Sequence, residues 1–300
     1  MNVIDLELHI PTSESDPAIE EMTKGRPGTP FPQSLPRPEG YGFANYGRVF
    51  RKPEKGSAPD ASMHDDGGLP KLVADMDRAG IAKGFLLGAQ HDRIRGIHHA
   101  FPGRFIVGVL LNPLDGMRAV RELERLVKED GAGALRVSAL YNSIPANDRR
   151  YYPLYVKCVE LDVPVRIYTA MSYANDRAYD LGHPRYLDDV AVDFPELRIV
   201  AGLAGWPWMA DMVGLLRRHP NLYCDTAGHH PRYFAQPGSG WEQFLQFGNT
   251  LMQDKVMVGL SRYLFKMPFE DLIAEYLKLP LKDSVKEKWL FKNATEFFRL

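Results

Sequence analysis

The sequence predicts an α/β chain folded as a (β/α)₈ TIM-like barrel, with a long insertion after strand 1 and C-terminal helices. Two observations predict it. From residue 68 onward, apolar strand-like runs alternate with helical patterns across short connections. With the strand at the start, these runs make eight β-units in a chain of 300 residues, close to the roughly 250 typical of such barrels. A doubly wound open sheet is the structural alternative, because periodicity alone does not separate the two. A single domain is expected to span residues 1–300.

The first strand is Asn2 to Leu8. Pro11 to Gly67 then breaks the rhythm, being rich in Pro, Gly and Ser and lacking sustained periodicity. A loop of that length after strand one would lie over the barrel mouth and reads as a lid or an oligomer contact. Ile81 to Leu87 and Arg104 to Leu110 are strands. Leu72, Met76 and Ala79 precede the first at helical spacing, and Val120, Leu123, Leu126 and Val127 follow the second. Ala132 to Val137 is a short strand and Tyr151 to Leu161 an amphipathic helix. Val163 to Tyr168 is a strand whose start Pro164 marks. Tyr186 to Phe194 is a helix, with Pro184 near its beginning. Leu197 to Ala201, Leu222 to Cys224 and Lys255 to Val258 complete the strands. Helices at about Trp208 to Arg218 and Phe269 to Leu277 separate or follow them. His229 to Gly240 forms a second long loop, and Ser284 to Leu300 reads as a helix pair.

Composition excludes several classes. A formal net charge of −1 gives no broad attraction to nucleic acid or an anionic membrane. The start MNVIDLELHI lacks the basic and apolar regions of a signal peptide, and no run approaches the ~20 residues of a membrane span. Cytoplasmic residence is the default. The two cysteines, Cys158 and Cys224, stand in no zinc or disulfide spacing and read as small buried hydrophobes.

Leu197 to Trp208 reads LRIVAGLAGWPW, and Asn221 to Thr226 follows with NLYCDT. A strand, a Gly-rich turn, a Trp-Pro-Trp helix start and a second strand form a βαβ unit. With LDDVAVDFPELRIV and the closing KWLFKNATEFFRL, this phrasing closely resembles the amidohydrolase superfamily, in the branch of the aminocarboxymuconate-semialdehyde and γ-resorcylate decarboxylases. The resemblance covers nearly the whole chain after residue 68 and both ends. It implies a barrel whose strand ends carry a metal site, and paired barrels as homodimers. The family's chemistry includes decarboxylation of aromatic or unsaturated acids, ring hydration and lactone hydrolysis.

Reactive groups of such a barrel sit at the C-terminal strand ends. Strand one ends in Asp5-Leu6-Glu7-Leu8-His9. Alternation puts Glu7 and His9 on one face, with Asp5 further down it. They make a metal fork, an acid/base pair or a purely supporting ion pair. The resemblance matches them to the family's E-x-H. Arg136 ends strand four and is suited to clamp a carboxylate; pairing within the structure is its plainer role. Tyr168 ends strand five, where the family places a metal-binding histidine; a phenol donates hydrogen bonds but is a poor ligand for zinc or manganese. Leu203 stands at the strand-six histidine of the family's G-H-x-G-W-P-W. Asp225 ends strand seven and reads as structural, with His229 and His230 on the loop beyond it. Ser261 falls on the family's strand-eight aspartate, or Arg262 does if the register slips by one.

Only Glu7 and His9 of the family's metal set remain, against the three or four protein donors such a site needs. The expectation is therefore an enzyme with no cofactor that acts on a small-molecule carboxylate. Glu7 and His9 would move the proton, Tyr168 would act as donor, and Arg136, Ser261, Arg262, His229 and His230 would bind substrate. Decarboxylation, a C–C lyase step, fits best; hydrolysis by His9-activated water is the alternative. Two further readings stay open. One is a zinc or manganese enzyme in which Glu7 and His9 are joined by His229, His230 or His91. The other is a non-catalytic ligand-binding protein.

Overall fold

The computed structural model describes residues 2–9, 68–89, 91–175 and 177–300. Its eight strands form one sheet in chain order, and each pairs with the next in parallel. They are β1 Val3–His9, β2 Ile81–Leu87, β3 Phe105–Leu110, β4 Ala134–Val137, β5 Val165–Tyr168, β6 Ile199–Gly202, β7 Leu222–Asp225 and β8 Val256–Met257. A main helix follows each strand: α1 Gly68–Ala79, α2 Ile94–Ala100, α3 Met117–Arg125, α4 Tyr152–Glu160, α5 Arg185–Asp193, α6 Met209–Arg218, α7 Glu242–Gly248 and α8 Phe269–Leu277. The Leu6 N–H donates to the Val258 carbonyl at 2.9 Å. The end of the eighth strand thereby meets the first, and the sheet closes into the expected barrel. The expected lid or oligomer contact at residues 11–67 lies outside the described residues. No described helix is long and apolar enough to cross a membrane.

Strand alternation sorts the apolar side chains into two layers. Val107, Leu135, Ile167 and Ile199 face the helices in the outer core. Ile4, Leu6, Phe85, Val200 and Met257 fill the barrel itself. The C-terminal helix Asn293–Phe298 closes the barrel's lower end, where Ala294 and Phe297 join that inner cluster. The Phe297 ring meets Tyr223 edge-on at 4.8 Å. The upper end is left for chemistry. Cys158 and Cys224 are free thiols in the outer core, and burial raises both.

Two helices were not legible in the sequence. α2 and α7 have seven residues each, about two turns, which is too short for a 3.6-residue repeat to stand out.

One expectation about β1 is corrected. Ile4 and Leu6 point into the barrel, whereas Leu8 belongs to the outer core. The ladder to β2 slips between Asp5 and Leu8. This bulge inserts a residue and reverses the alternation. Glu7 and His9 thus come to the inner face while Asp5 does not share it. The Asp5 carboxylate holds the bulge: Oδ1 accepts from the Glu7 N–H at 3.0 Å and from the Leu260 N–H at 2.8 Å.

Candidate active site

The mouth is organised around a side chain not singled out from the sequence. Arg166 on β5 is 7% exposed and reaches across the barrel. Its Nε donates to Asp225 Oδ2 at 2.7 Å and its Nη2 to Asp225 Oδ1 at 3.2 Å. The same Nη2 donates to Glu7 Oε2 at 2.6 Å. One guanidinium therefore bridges the carboxylates of β1 and β7. Room for it comes from Gly202 on β6, where a Cβ would lie 3.1 Å from the Arg166 Cζ. Asp225 is fully buried and also accepts from the N–H groups of Leu203 and Ala227, both at 3.1 Å. Alternation contained the signal for Arg166: an inward Tyr168 at the end of β5 requires an inward residue two positions earlier.

Electrostatics follow from this bridge. Burial alone would raise the Glu7 carboxyl, but Arg166, His9 and Arg136 outweigh it and hold Glu7 down at about 2. The Arg166 guanidinium is burdened by burial, yet the Asp225 and Glu7 charges push its proton affinity up. Asp5 differs. Burial dominates over its two backbone hydrogen bonds and pushes its carboxyl up to about 7. Its Oδ2 has no hydrogen-bond partner among the described residues.

His9 Nε2 lies 3.4 Å from Glu7 Oε1, and the ring is one-third exposed. Tyr263, just past β8, lies against it with ring centres 5.1 Å apart. Arg136 stands in register beside Arg166 on the neighbouring strand. It fits there because Gly108 has no side chain: a Cβ would lie 2.9 Å from the Arg136 Cδ and 2.4 Å from the Phe85 ring. Glu7, His9 and Arg136 are thus brought together, with Arg166 added.

The remaining expected residues have other contacts. The Tyr168 hydroxyl donates to the Met171 carbonyl at 2.8 Å. Ser261 Oγ is buried and accepts from the Gly228 N–H at 2.7 Å. The guanidinium of Arg262 pairs with Asp75 on α1 at 2.5 Å and stacks over Phe269. The cation at the barrel's centre is Arg166, and the pull of Asp75 explains why Arg262 turns to the helix layer instead. His229 packs between Trp206 and Trp241, and burial lowers its ring to about 3, so it is neutral. His230 is fixed to α8, its Nδ1 lying 2.7 Å from Glu275. His91 approaches Glu122 at 3.8 Å and lines a cleft of about 490 Å³ with Asp92, Arg95, Arg125 and Asp130.

A divalent ion needs three or four protein donors. Here Glu7 Oε2 and both Asp225 oxygens are engaged by Arg166, and the ends of β5 and β6 offer Tyr168 and Leu203. Among the described residues, no three His, Cys, Asp or Glu side chains are grouped to hold a metal ion. The donors among the described residues do not fit one.

Solved structures share this architecture. A TIM-barrel protein of uncharacterised function from Bordetella bronchiseptica is 21% identical over 100% of this chain and 99% of its own, with a TM-score of 0.72. The 5-carboxyvanillate decarboxylase of Novosphingobium aromaticivorans, solved with bound manganese and a nitrobenzoic acid, is 18% identical over 100% and 97%, with a TM-score of 0.68. The 4-oxalomesaconate hydratase of Rhodopseudomonas palustris is 19% identical over 99% and 95%, with a TM-score of 0.59. These likenesses establish the fold. No curated protein sequence matches the chain. The amidohydrolase family model matches residues 4–300, almost the entire barrel, and the chain belongs to that family.

Proposed function

We propose that the chain is a metal-independent enzyme acting on a small aromatic or unsaturated carboxylic acid, with decarboxylase-type chemistry carried by Glu7 and His9. The observation that supports it most is the position of Glu7, 3.4 Å from His9 on one side and 2.6 Å from Arg166 on the other. With Arg166, His9 and Arg136 holding Glu7 at about 2, it is a carboxylate near neutral pH. A fixed carboxylate next to an imidazole orients the ring. The His9 ring is one-third exposed, so a bound solute can reach it.

In this reading Arg136 binds the substrate carboxylate. His9 in its imidazolium form gives a proton to the carbon bearing that carboxylate. The bond from that carbon to the carboxylate then breaks, its electron pair returns to the unsaturated system, and CO₂ leaves. One proton enters for each CO₂ released, and His9 is reprotonated from solvent. Tyr168 has a supporting part, since its hydroxyl proton is committed to Met171. Named relatives of the same fold include decarboxylases of aromatic acids, which favours this class. A related structure is described as a probable lactone-type hydrolase, of 2-pyrone-4,6-dicarboxylic acid. The same His9 beside an anionic carboxylate would activate water for that chemistry.

The test is turnover by EDTA-treated, metal-analysed protein against a panel of hydroxybenzoates, unsaturated dicarboxylates and lactones. CO₂ release without stoichiometric zinc or manganese is expected. Activity that appears only with an added divalent ion would overturn metal independence. Ring opening of a lactone without CO₂ release would replace the lyase by the hydrolase.

A further inference from the structure

Arg166 has one nitrogen that the bridge does not use. Nε and Nη2 are both directed at carboxylates. Nη1 makes no hydrogen bond among the described residues, although the side chain is 93% buried by its 7% exposure. It is also absent from the buried polar atoms that lack a partner, so some of its surface stays accessible. A guanidinium has five N–H donors in a fixed fork. Here three go to protein carboxylates, and the two on Nη1 remain.

The surroundings define what those donors suit. Two carboxylates share the Arg166 charge, so a third anion would be weakly attracted to Arg166 alone. Arg136 changes the balance, standing in register with Arg166 on the adjacent strand and close enough to lower Glu7. Two guanidiniums thus stand close to the Glu7 carboxylate, and an anionic ligand oxygen would gain a planar donor in a largely buried site. Glycines at 108 and 202 leave the space both arginines occupy.

We propose that Arg166 is a specificity-determining residue: its Nη1 binds an anionic oxygen of the substrate while its other edge neutralises Glu7 and Asp225. One side chain would thereby serve as internal counter-ion and as anion receptor. The inference rests on the same site as the proposed reaction but concerns binding alone. It can be read without turnover.

The experiment uses 4-hydroxy-3-methoxy-5-nitrobenzoate, an absorbing aromatic acid, titrated into the EDTA-treated full-length protein. Its methyl ester, uncharged at the carboxyl, is the control. Arg166→Lys keeps a cation for Glu7 and Asp225 but removes the fork; Arg166→Gly opens a hole the size of a guanidinium. Wild type is expected to bind the acid over the ester. Arg166→Lys, folded by near-ultraviolet circular dichroism, is expected to lose at least about tenfold in affinity for the acid. In Arg166→Gly, added guanidinium ion is expected to restore acid binding and ammonium is not. Arg166→Lys binding within twofold of wild type would overturn the proposal, as would a wild type that does not distinguish acid from ester. Tight binding of this acid with no CO₂ release from any acid of the panel would leave this inference standing and remove the decarboxylase reading.

Discussion

The Leu203 N–H donates to Asp225 Oδ1 at 3.1 Å, the same oxygen that accepts from Arg166 Nη2 at 3.2 Å. Leu203 reaches that oxygen with a φ of 70°, a left-handed backbone that costs a non-glycine residue roughly 1–3 kcal/mol. At the end of β6 the chain therefore contributes a backbone donor and an apolar side chain. The carboxylate it meets is already the counter-ion of an arginine. Changes at β5, β6 and β7 are coupled through this one oxygen.

Removing the cation tests that coupling. Arg166→Met leaves Glu7 and Asp225 without their partner, and breaking one side of a buried ion pair typically costs about 3–5 kcal/mol. Urea unfolding at pH 7 is expected to show a loss of that size. A loss under about 1 kcal/mol would mean the two carboxylates are accommodated without Arg166.

Asp5 gives a pH dependence of defined sign. Burial raises its carboxyl from 3.8 to about 7 in the folded chain. A raised folded-state value means that stability is fully present below pH 3.8 and declines as pH rises toward 7. At about 1.4 kcal/mol per pH unit, the decline is on the order of 4 kcal/mol. Glu7 works in the opposite direction: its lowered value gives stability that is present above 4.5 and lost as pH falls through about 2. His229, lowered from 6.5 to about 3, adds stability as pH rises to about 6.5 and so opposes Asp5; the difference between wild type and an Asp5 variant is what reports Asp5. Asp5→Asn keeps an acceptor for the Glu7 and Leu260 N–H groups and removes the titration. Its stability relative to wild type is expected to rise as pH goes from 5 to 8. Parallel curves for the two proteins would show that Asp5 is ionised in the folded state.

The barrel was legible because short apolar runs recur between segments of helical spacing, most of those helices being nine residues or longer, even though β4 to β7 have four residues each and β8 has two. The site was legible in part. Glu7 and His9 follow from alternation near the end of β1, although the bulge that turns them inward leaves no mark in the sequence; only the slip against β2 reveals it. Arg166 was within reach, two positions before Tyr168 on the same strand face. A residue in the middle of a barrel strand normally belongs to the packed interior and not to the mouth, so its position alone does not mark it as functional. Arg262 had an equal claim to the central position on composition alone. Its partner Asp75 lies 187 residues away, a separation across which one sequence carries no pairing signal.

His9 is the residue whose loss should separate chemistry from folding. Its ring is one-third exposed and its contact with Glu7 is long, at 3.4 Å. His9→Gln is therefore expected to change stability by less than about 1 kcal/mol. Turnover of the acid substrate should fall by roughly 10²–10⁴-fold, the usual range for a positioned proton donor. The comparison is kcat against the urea midpoint for the same preparation. A variant that retains wild-type kcat would remove His9 from the reaction.

Restoring one family ligand should not restore a metal centre. Leu203→His places an imidazole at the end of β6, but Arg166 still stands between Glu7 and Asp225. A dication about 4 Å from a guanidinium meets repulsion of roughly 8 kcal/mol at an effective dielectric of 20. One added ligand has to exceed that repulsion and also displace the hydrogen bonds on Asp225. The single variant is expected to hold far less than one equivalent of zinc or manganese after dialysis, by elemental analysis. The double variant Leu203→His with Arg166→His removes the internal cation and adds a second imidazole, and it is expected to take up metal. Stoichiometric metal in the single variant would show that Arg166 yields to a divalent ion, and the metal-independent reading would fall with it.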